Sequence, residues 1–255
     1  MSPSAQQAPR DLSDYIELLR ELDEQGLPYA VIGGMAVGAY ARLRGQPIIS
    51  ADLDIVATEA TLRELIDVAP EIHLEVISRP QPRAVPVAVM WWRGLEVNAL
   101  TSSAGLPAAE LVVRGAREFH VGEHDVVIPI ADPLDLLSNK LTVRRAKDIP
   151  HIEVLRDFVE DEIVVELGGG GTTRERLALI RRYLDVLGTE ALPSDLALRL
   201  IDVVEDPRCA RYLAGHVDDT VVAAKLIARL EESGSASDVR RILSRRGLLD
   251  DVAPG

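Results

Sequence analysis

The chain has 255 residues, 47% of them hydrophobic and 27% charged, a globular composition with enough apolar side chains for a sizeable core. A formal net charge of −13 works against field-driven binding to DNA, RNA or anionic membranes, because phosphate affinity depends on Lys and Arg; a local basic patch stays open. One cysteine, Cys209, excludes an internal disulfide framework and a cysteine-based zinc site, and reads as a small buried apolar side chain.

No apolar stretch approaches the roughly 20 residues of a membrane span, and MSPSAQQAPRDLSD has neither a basic nor an apolar leader region. The expectation is a soluble, cytoplasmic protein. Residues 11–25 place Leu12, Tyr15, Leu18, Leu19 and Leu22 on one helical stripe, with Gly26 as its stop. Residues 29–32 read as a short buried strand, 35–43 as a small-residue helix and 53–57 as a second strand. Thr58 caps a helix over 59–68, with Thr61 and Glu64 offering a second capping box.

Further strands are expected at 72–77, 85–92, 96–100 and 126–130, with Pro80, Pro82 and Pro86 favouring loop or edge positions before the second of these. Pro133 opens a helix to about Arg145, and another follows over 151–160. From Arg174 the signals are helical only, over 174–188, 194–206, 221–232 and 237–247. LGGGGTT, from Leu167 to Thr173, lacks the Gly-Lys-Ser/Thr ending of a phosphate loop and reads better as a connector. The expected organisation is a domain over 1–165, a glycine-rich linker over 166–173 and a helical domain over 174–255. Its fold class is α/β (α+β), a mixed sheet flanked by helices and followed by a helical bundle.

The chemistry is concentrated in AVIGGMAVGAYARLRGQPIISADLDIVAT, residues 30–58. Alternate strand residues share a face, so Asp52 and Asp54 project together, and two carboxylates so close call for a cation such as Mg2+. The bland alternative is a strand-end cap and a solvated carboxylate. A strand entering Gly33-Gly34 and then a helix lets backbone amides approach a phosphate. An anion cradle beside a metal site is what a nucleoside triphosphate needs.

These residues resemble the nucleotidyltransferase fold of the polymerase-beta type, whose signature is an apolar residue, Gly-Gly or Gly-Ser, a helix, then Asp-x-Asp or Asp-x-Glu. The chain is most similar to the AbiEii and MenT-like branch, toxins of bacterial toxin–antitoxin systems and their relatives. The similarity extends through GLEVNALTSSAGL and IADPLDLLSNKLTVRRAKDIPHIEVL, about residues 10 to 160 in all. It implies that Gly33 and Gly34 contact the triphosphate and that Asp52 and Asp54 hold Mg2+. Lys140, Arg144 and Lys147 would neutralise phosphate, Asp148 orienting one of them, with Ser50 and Asn98 beside the nucleotide. The implied partners are an NTP, a hydroxyl acceptor on RNA, tRNA, protein or a small molecule, and a cognate antitoxin protein. No membrane and no extended DNA surface are expected.

The chain departs from that pattern at three places. Asn98 stands where a third aspartate is usual, and an amide cannot accept a proton at neutral pH. Glu96, two residues earlier on the same face, is the substitute base and third metal carboxylate. Ile48 replaces a common arginine, and His151 a common acidic residue. A binding protein that kept the fold and lost efficient catalysis is therefore the alternative to an enzyme. Trp91 and Trp92 alternate faces, one for the core and one for solvent, where base stacking is an option. His73, His120, His124, His151 and His216 show no metal spacing and default to surface positions, His120 and His124 in a turn. Arg145 reads as part of a solvated helix end.

Overall fold

The computed structural model describes residues 10–79, 87–121, 126–169, 171–231 and 236–249. The expectations for Pro80, Pro82, Val85, Pro86, His124, Gly170 and the first nine residues lie outside them. Asp11 caps a short 3-10 turn (Leu12–Tyr15) that runs into α1 (Ile16–Glu24), and the predicted leucine stripe is buried. β1 (Tyr29–Ile32) turns without a loop into α2 (Gly33–Leu43), and β2 (Leu53–Ala57) leads through the Thr58 cap into α3 (Glu59–Val68).

The remaining strands are β3 (Leu74–Ser78), β4 (Val87–Trp92), β5 (Leu95–Leu100), β6 (Arg117–Val121) and β7 (Val126–Ile130). Between β5 and β6 lies the short α4 (Ala109–Arg114), and after β7 come α5 (Pro133–Val143) and α6 (Ile149–Gly168). The seven strands form one mixed sheet in the order β3-β4-β5-β2-β1-β7-β6. β2 runs antiparallel to β1 and parallel to β5, which sets Asp54 beside Ile32 on one side and Asn98 on the other. This mixed sheet with flanking helices and a helical C-terminal region is the architecture expected.

The chain divides into two compact units, Met1–Phe158 and Val159–Gly255. In the first, Tyr40 of α2 is fully buried, donates to the Ala131 carbonyl at 2.9 Å, and meets the Phe119 and Phe158 rings edge-on at 5.0 and 4.8 Å. The second contains α7 (Thr173–Leu187), α8 (Ser194–Val203), α9 (Pro207–His216), α10 (Thr220–Glu231) and α11 (Ala236–Arg245). Thr172 and Glu175 form a reciprocal capping box at the start of α7, and Gly188 ends it in the left-handed region. Cys209 is buried, as expected.

Several boundaries differ for identifiable reasons. α6 does not stop at Glu160, because Val159, Ile163 and Leu167 continue one buried stripe past the acidic run. α9 was not anticipated, although Asp206 caps it and Pro207 occupies its first turn. His120 lies in β6 opposite Val127 rather than in a turn. The helix from Pro133 ends at Val143, since Arg144 takes a left-handed conformation. No helix among the described residues is long and apolar enough to cross a membrane. Replacing Tyr40 by Phe strands the Ala131 carbonyl and is expected to cost about 1–2 kcal/mol, read as a lower denaturation midpoint at unchanged m-value.

Candidate active site

Four side chains from two adjacent strands and the loop before them meet at one point. The Asn98 amide nitrogen lies 3.2 Å from Asp52 Oδ2, 3.1 Å from Asp54 Oδ1 and 3.4 Å from Glu96 Oε1. The parallel register of β2 with β5 produces this, because Asp54 and Asn98 are direct partners and Glu96 is one alternation away. Asp52 precedes β2 rather than belonging to it, and the Ser50 hydroxyl donates to its Oδ1 at 3.2 Å. Both aspartates therefore face one centre, as the alternation argument requires, though only Asp54 sits in the strand.

The paired glycines are explained first by these side chains. Gly33 has φ +71°, and a Cβ there would overlap the Asp54 carboxylate. A Cβ on Gly34 would lie 2.6 Å from Ser50 Oγ. The N-terminus of α2 thus begins against Asp54, where its unpaired amides and positive dipole end favour negative charge. Burial foremost, and the Asp52 charge next, push the Asp54 carboxyl up to about 6, against the Asn98 hydrogen bond and the charges of Lys140 and Arg145. Burial, reinforced by Asp52, holds the Tyr15 phenol at about 12, and Tyr15 donates to the Glu96 carbonyl at 3.0 Å.

A second, cationic group stands beside the first. Lys140 of α5 is 2% exposed, and its Nζ lies 3.1 Å from Oδ1 of the fully buried Asp148. Arg145 Nε reaches the other Asp148 oxygen at 2.8 Å, while its guanidinium stays half exposed. Burial works to raise the Asp148 carboxyl, but the hydrogen bonds and charges of Arg145 and Lys140 override it and hold it at about 2. Asp148 therefore organises Lys140 and Arg145. Arg144 and Lys147 are exposed on the flanking turn.

His151 was expected at the surface and is not there. Its ring is mostly buried, its Cε1 3.7 Å from where a Gly34 Cβ would stand, and its Nδ1 has no hydrogen-bond partner. Nδ1 is 3.6 Å from Asp148 Oδ1, and burial and the Lys140 charge lower its pKa. The i, i+3 spacing from Asp148 on a helix start is the signal that could have located it. Tyr15 carries no such signal beyond its place in the apolar stripe.

Among the described residues no group of three or more His, Cys, Asp or Glu side chains is disposed to hold a metal ion. Mg2+ at a nucleotide site, however, is usually held by one or two carboxylates together with substrate phosphates. Asp52 and Asp54, both within reach of the Asn98 amide, are a carboxylate pair of that kind. The Asn98 amide points its nitrogen at these carboxylates, and a turn of that amide would present its oxygen instead.

No family model matches the chain, and no curated protein matches it. Among solved structures, a Thermotoga maritima protein assigned as a nucleotidyltransferase aligns at 15% identity over 61% of this chain and 99% of its own, with a TM-score of 0.39. The antibiotic-resistance factor ANT(2'')-Ia aligns at 14% identity over 69% of this chain and 92% of its own, with a TM-score of 0.40. An antigenic nucleotidyltransferase-like protein of Paracoccidioides brasiliensis aligns at 18% identity over 84% and 99%, with a TM-score of 0.34. Overlaps of this quality assign neither a family nor an activity.

Two stability measurements test the electrostatics. The Asp54 carboxyl binds its proton more tightly folded than unfolded, where the ordinary value is 3.8, so its contribution is present below pH about 4 and lost as pH rises through about 6. Allowing for partial exposure, the loss is on the order of 2 kcal/mol. Asp54→Asn is expected to unfold at a higher temperature than wild type at pH 7.5 and to lack that pH dependence. Asp148→Asn leaves Lys140 buried without its counter-charge and is expected to cost about 3–5 kcal/mol in chemical denaturation.

Proposed function

We propose that the protein is an Mg2+-dependent nucleotidyltransferase moving a nucleoside monophosphate from an NTP to a hydroxyl acceptor. The convergence of Asp52, Asp54 and Glu96 on the Asn98 amide, beside the bare amides of the Gly33-Gly34 helix start, is the observation that carries this reading. Asp52 and Asp54 would hold Mg2+, which supplies charge neutralisation at the phosphates when bound. The α2 N-terminus receives phosphate oxygens, and the half-exposed Arg145 guanidinium, fixed by Asp148, faces their negative charge. Lys140 adds its field from below, already paired.

In the transfer the acceptor hydroxyl oxygen forms a bond to the α-phosphorus. The bond from that phosphorus to the β-bridging oxygen breaks, and pyrophosphate leaves with the electron pair. Glu96 is the carboxylate available to take the hydroxyl proton, since Asn98 cannot. The resemblance to the AbiEii and MenT-like branch extends this proposal to a toxin with an antitoxin partner.

A second reading has its own observation. The Asn98 amide, with two N–H donors shared among the three carboxylates, offsets part of their repulsion, so the same geometry suits a fold that binds nucleotide without transferring it. Incubation with each α-radiolabelled NTP, Mg2+ and either tRNA, protein extract or hydroxyl-bearing small molecules separates the two. Wild type is expected to transfer label, and Asp52→Ala/Asp54→Ala to lose roughly two to three orders of magnitude of it. Label transfer that survives the double substitution would rule out the enzyme. Absence of transfer with Mg-NTP binding that the substitution abolishes would establish the binding protein.

A further inference from the structure

Oδ1 of Asp148 stands near three nitrogens and has room for two. It accepts from Lys140 Nζ at 3.1 Å and from Arg145 Nη2 at 3.4 Å, and a carboxylate oxygen offers about two lone-pair directions. The third nitrogen, His151 Nδ1, is 3.6 Å away, beyond hydrogen-bond distance, buried and without a partner. Oδ2 is taken by Arg145 Nε at 2.8 Å. The imidazole is held in this place, because its side chain is only 16% exposed and its Cε1 lies 3.7 Å from where a Gly34 Cβ would stand on the first turn of α2.

A neutral ring gains nothing from that placement, since a buried nitrogen left unpaired costs free energy. A protonated ring would gain an ion pair. Burial opposes the proton most, Lys140 of α5 and Lys147 and Arg145 of the turn oppose it as well, and Asp148 favours it. The ring also lies against the start of α2 and in the first turn of α6, and both helix N-termini disfavour a positive charge. His151 is therefore neutral in the free protein at neutral pH, and an anion arriving beside α2 tips the balance toward the proton.

We propose that His151 is a proton-operated positioning residue for Arg145: when the ring takes a proton from solvent, Nδ1 donates to Asp148 Oδ1, and Arg145 Nη2 leaves that oxygen for phosphate. Both nitrogens of a charged imidazole are donors, so a third bond is offered to an oxygen that already accepts two. The longer bond yields. It belongs to Arg145, whose half-exposed guanidinium keeps its Nε bond as a pivot, whereas Lys140 is buried and stays. Proton and phosphate then favour each other by the same factor. An ionised acidic residue, common at this position in the family the sequence resembles, has no hydrogen to donate, so the device belongs to this chain. The link to phosphate rests on the nucleotidyltransferase reading; the exchange on Asp148 does not.

The test compares the full wild-type chain with His151→Asn by 15N magnetic resonance and by calorimetry. As the pH of the free protein falls from about 8 to about 5.5, the His151 ring and the Arg145 guanidinium resonances are expected to move with one midpoint, and the Arg145 shift to vanish in His151→Asn. Asp54 titrates in the same range but is common to both proteins, so the difference between them is the readout. Calorimetry then uses the Mg2+ complexes of the four α,β-methylene NTP analogues. The tightest is expected to bind both proteins alike at about pH 8 and wild type roughly three- to tenfold more tightly at about pH 6, with roughly half a proton more taken up by wild type. Arg145→Gln should remove that gain. An Arg145 signal indifferent to His151, affinities of wild type and His151→Asn that run parallel with pH, or a gain that survives Arg145→Gln would overturn the assignment. If His151→Asn does not fold, the shared midpoint in wild type and the Arg145→Gln comparison decide. Analogue binding without the shared midpoint overturns this inference alone, and the shared midpoint without binding of any analogue overturns the nucleotide reading and leaves the exchange on Asp148 standing.

Discussion

The seat of Asp54 against Gly33 constrains everything around it. A carboxylate pressed on bare backbone admits no side chain on that residue, requires the left-handed conformation that glycine adopts freely, and starts α2 where it does. The antiparallel pairing of β1 with β2 fixes the height of that contact, because Ile32 and Asp54 are partners. The parallel pairing with β5 then delivers Asn98 and, two residues back, Glu96. A slip of one residue in either pairing would turn Asp54 to the other face and dissolve the site.

Charge is separated across this centre. On the side of α5, one buried carboxylate, Asp148, collects Lys140, Arg145 and the approach of His151, and stays ionised because two cations answer it. On the other side three carboxylates share one neutral amide, and one of them, Asp54, resists ionisation. The two groups feel each other, since Lys140 and Arg145 both stabilise the Asp54 anion. A buried ion pair of this kind contributes little net stability and is better understood as a device that fixes position. Here it places a guanidinium at the edge of the carboxylate site.

Much of this was legible in the chain. The apolar run into Gly33-Gly34, the spacing of Asp52 and Asp54 and the alternation of Glu96 with Asn98 are local patterns, and each survives in the fold. What the pattern could not reveal was reach. Lys140 and Asp148 meet only because α5 ends at a left-handed Arg144 and the chain doubles back, which no periodicity encodes. Arg145 and Arg144 are both exposed and indistinguishable in sequence, yet Asp148 holds Arg145. β6 escaped notice because an edge strand that mixes Arg117, Glu118 and His120 with two apolar residues, of which only Val121 is buried, alternates weakly. α9 escaped because its Asp-Pro start follows so closely on the end of α8.

Asn98 has a consequence for how the protein comes into being. Centres built from carboxylates alone repel until an ion arrives, so their assembly is tied to ion supply. Here an amide carried by the polypeptide itself links Asp52, Asp54 and Glu96. The first unit can therefore assemble this centre around an uncharged amide of its own, without an ion to offset the carboxylates.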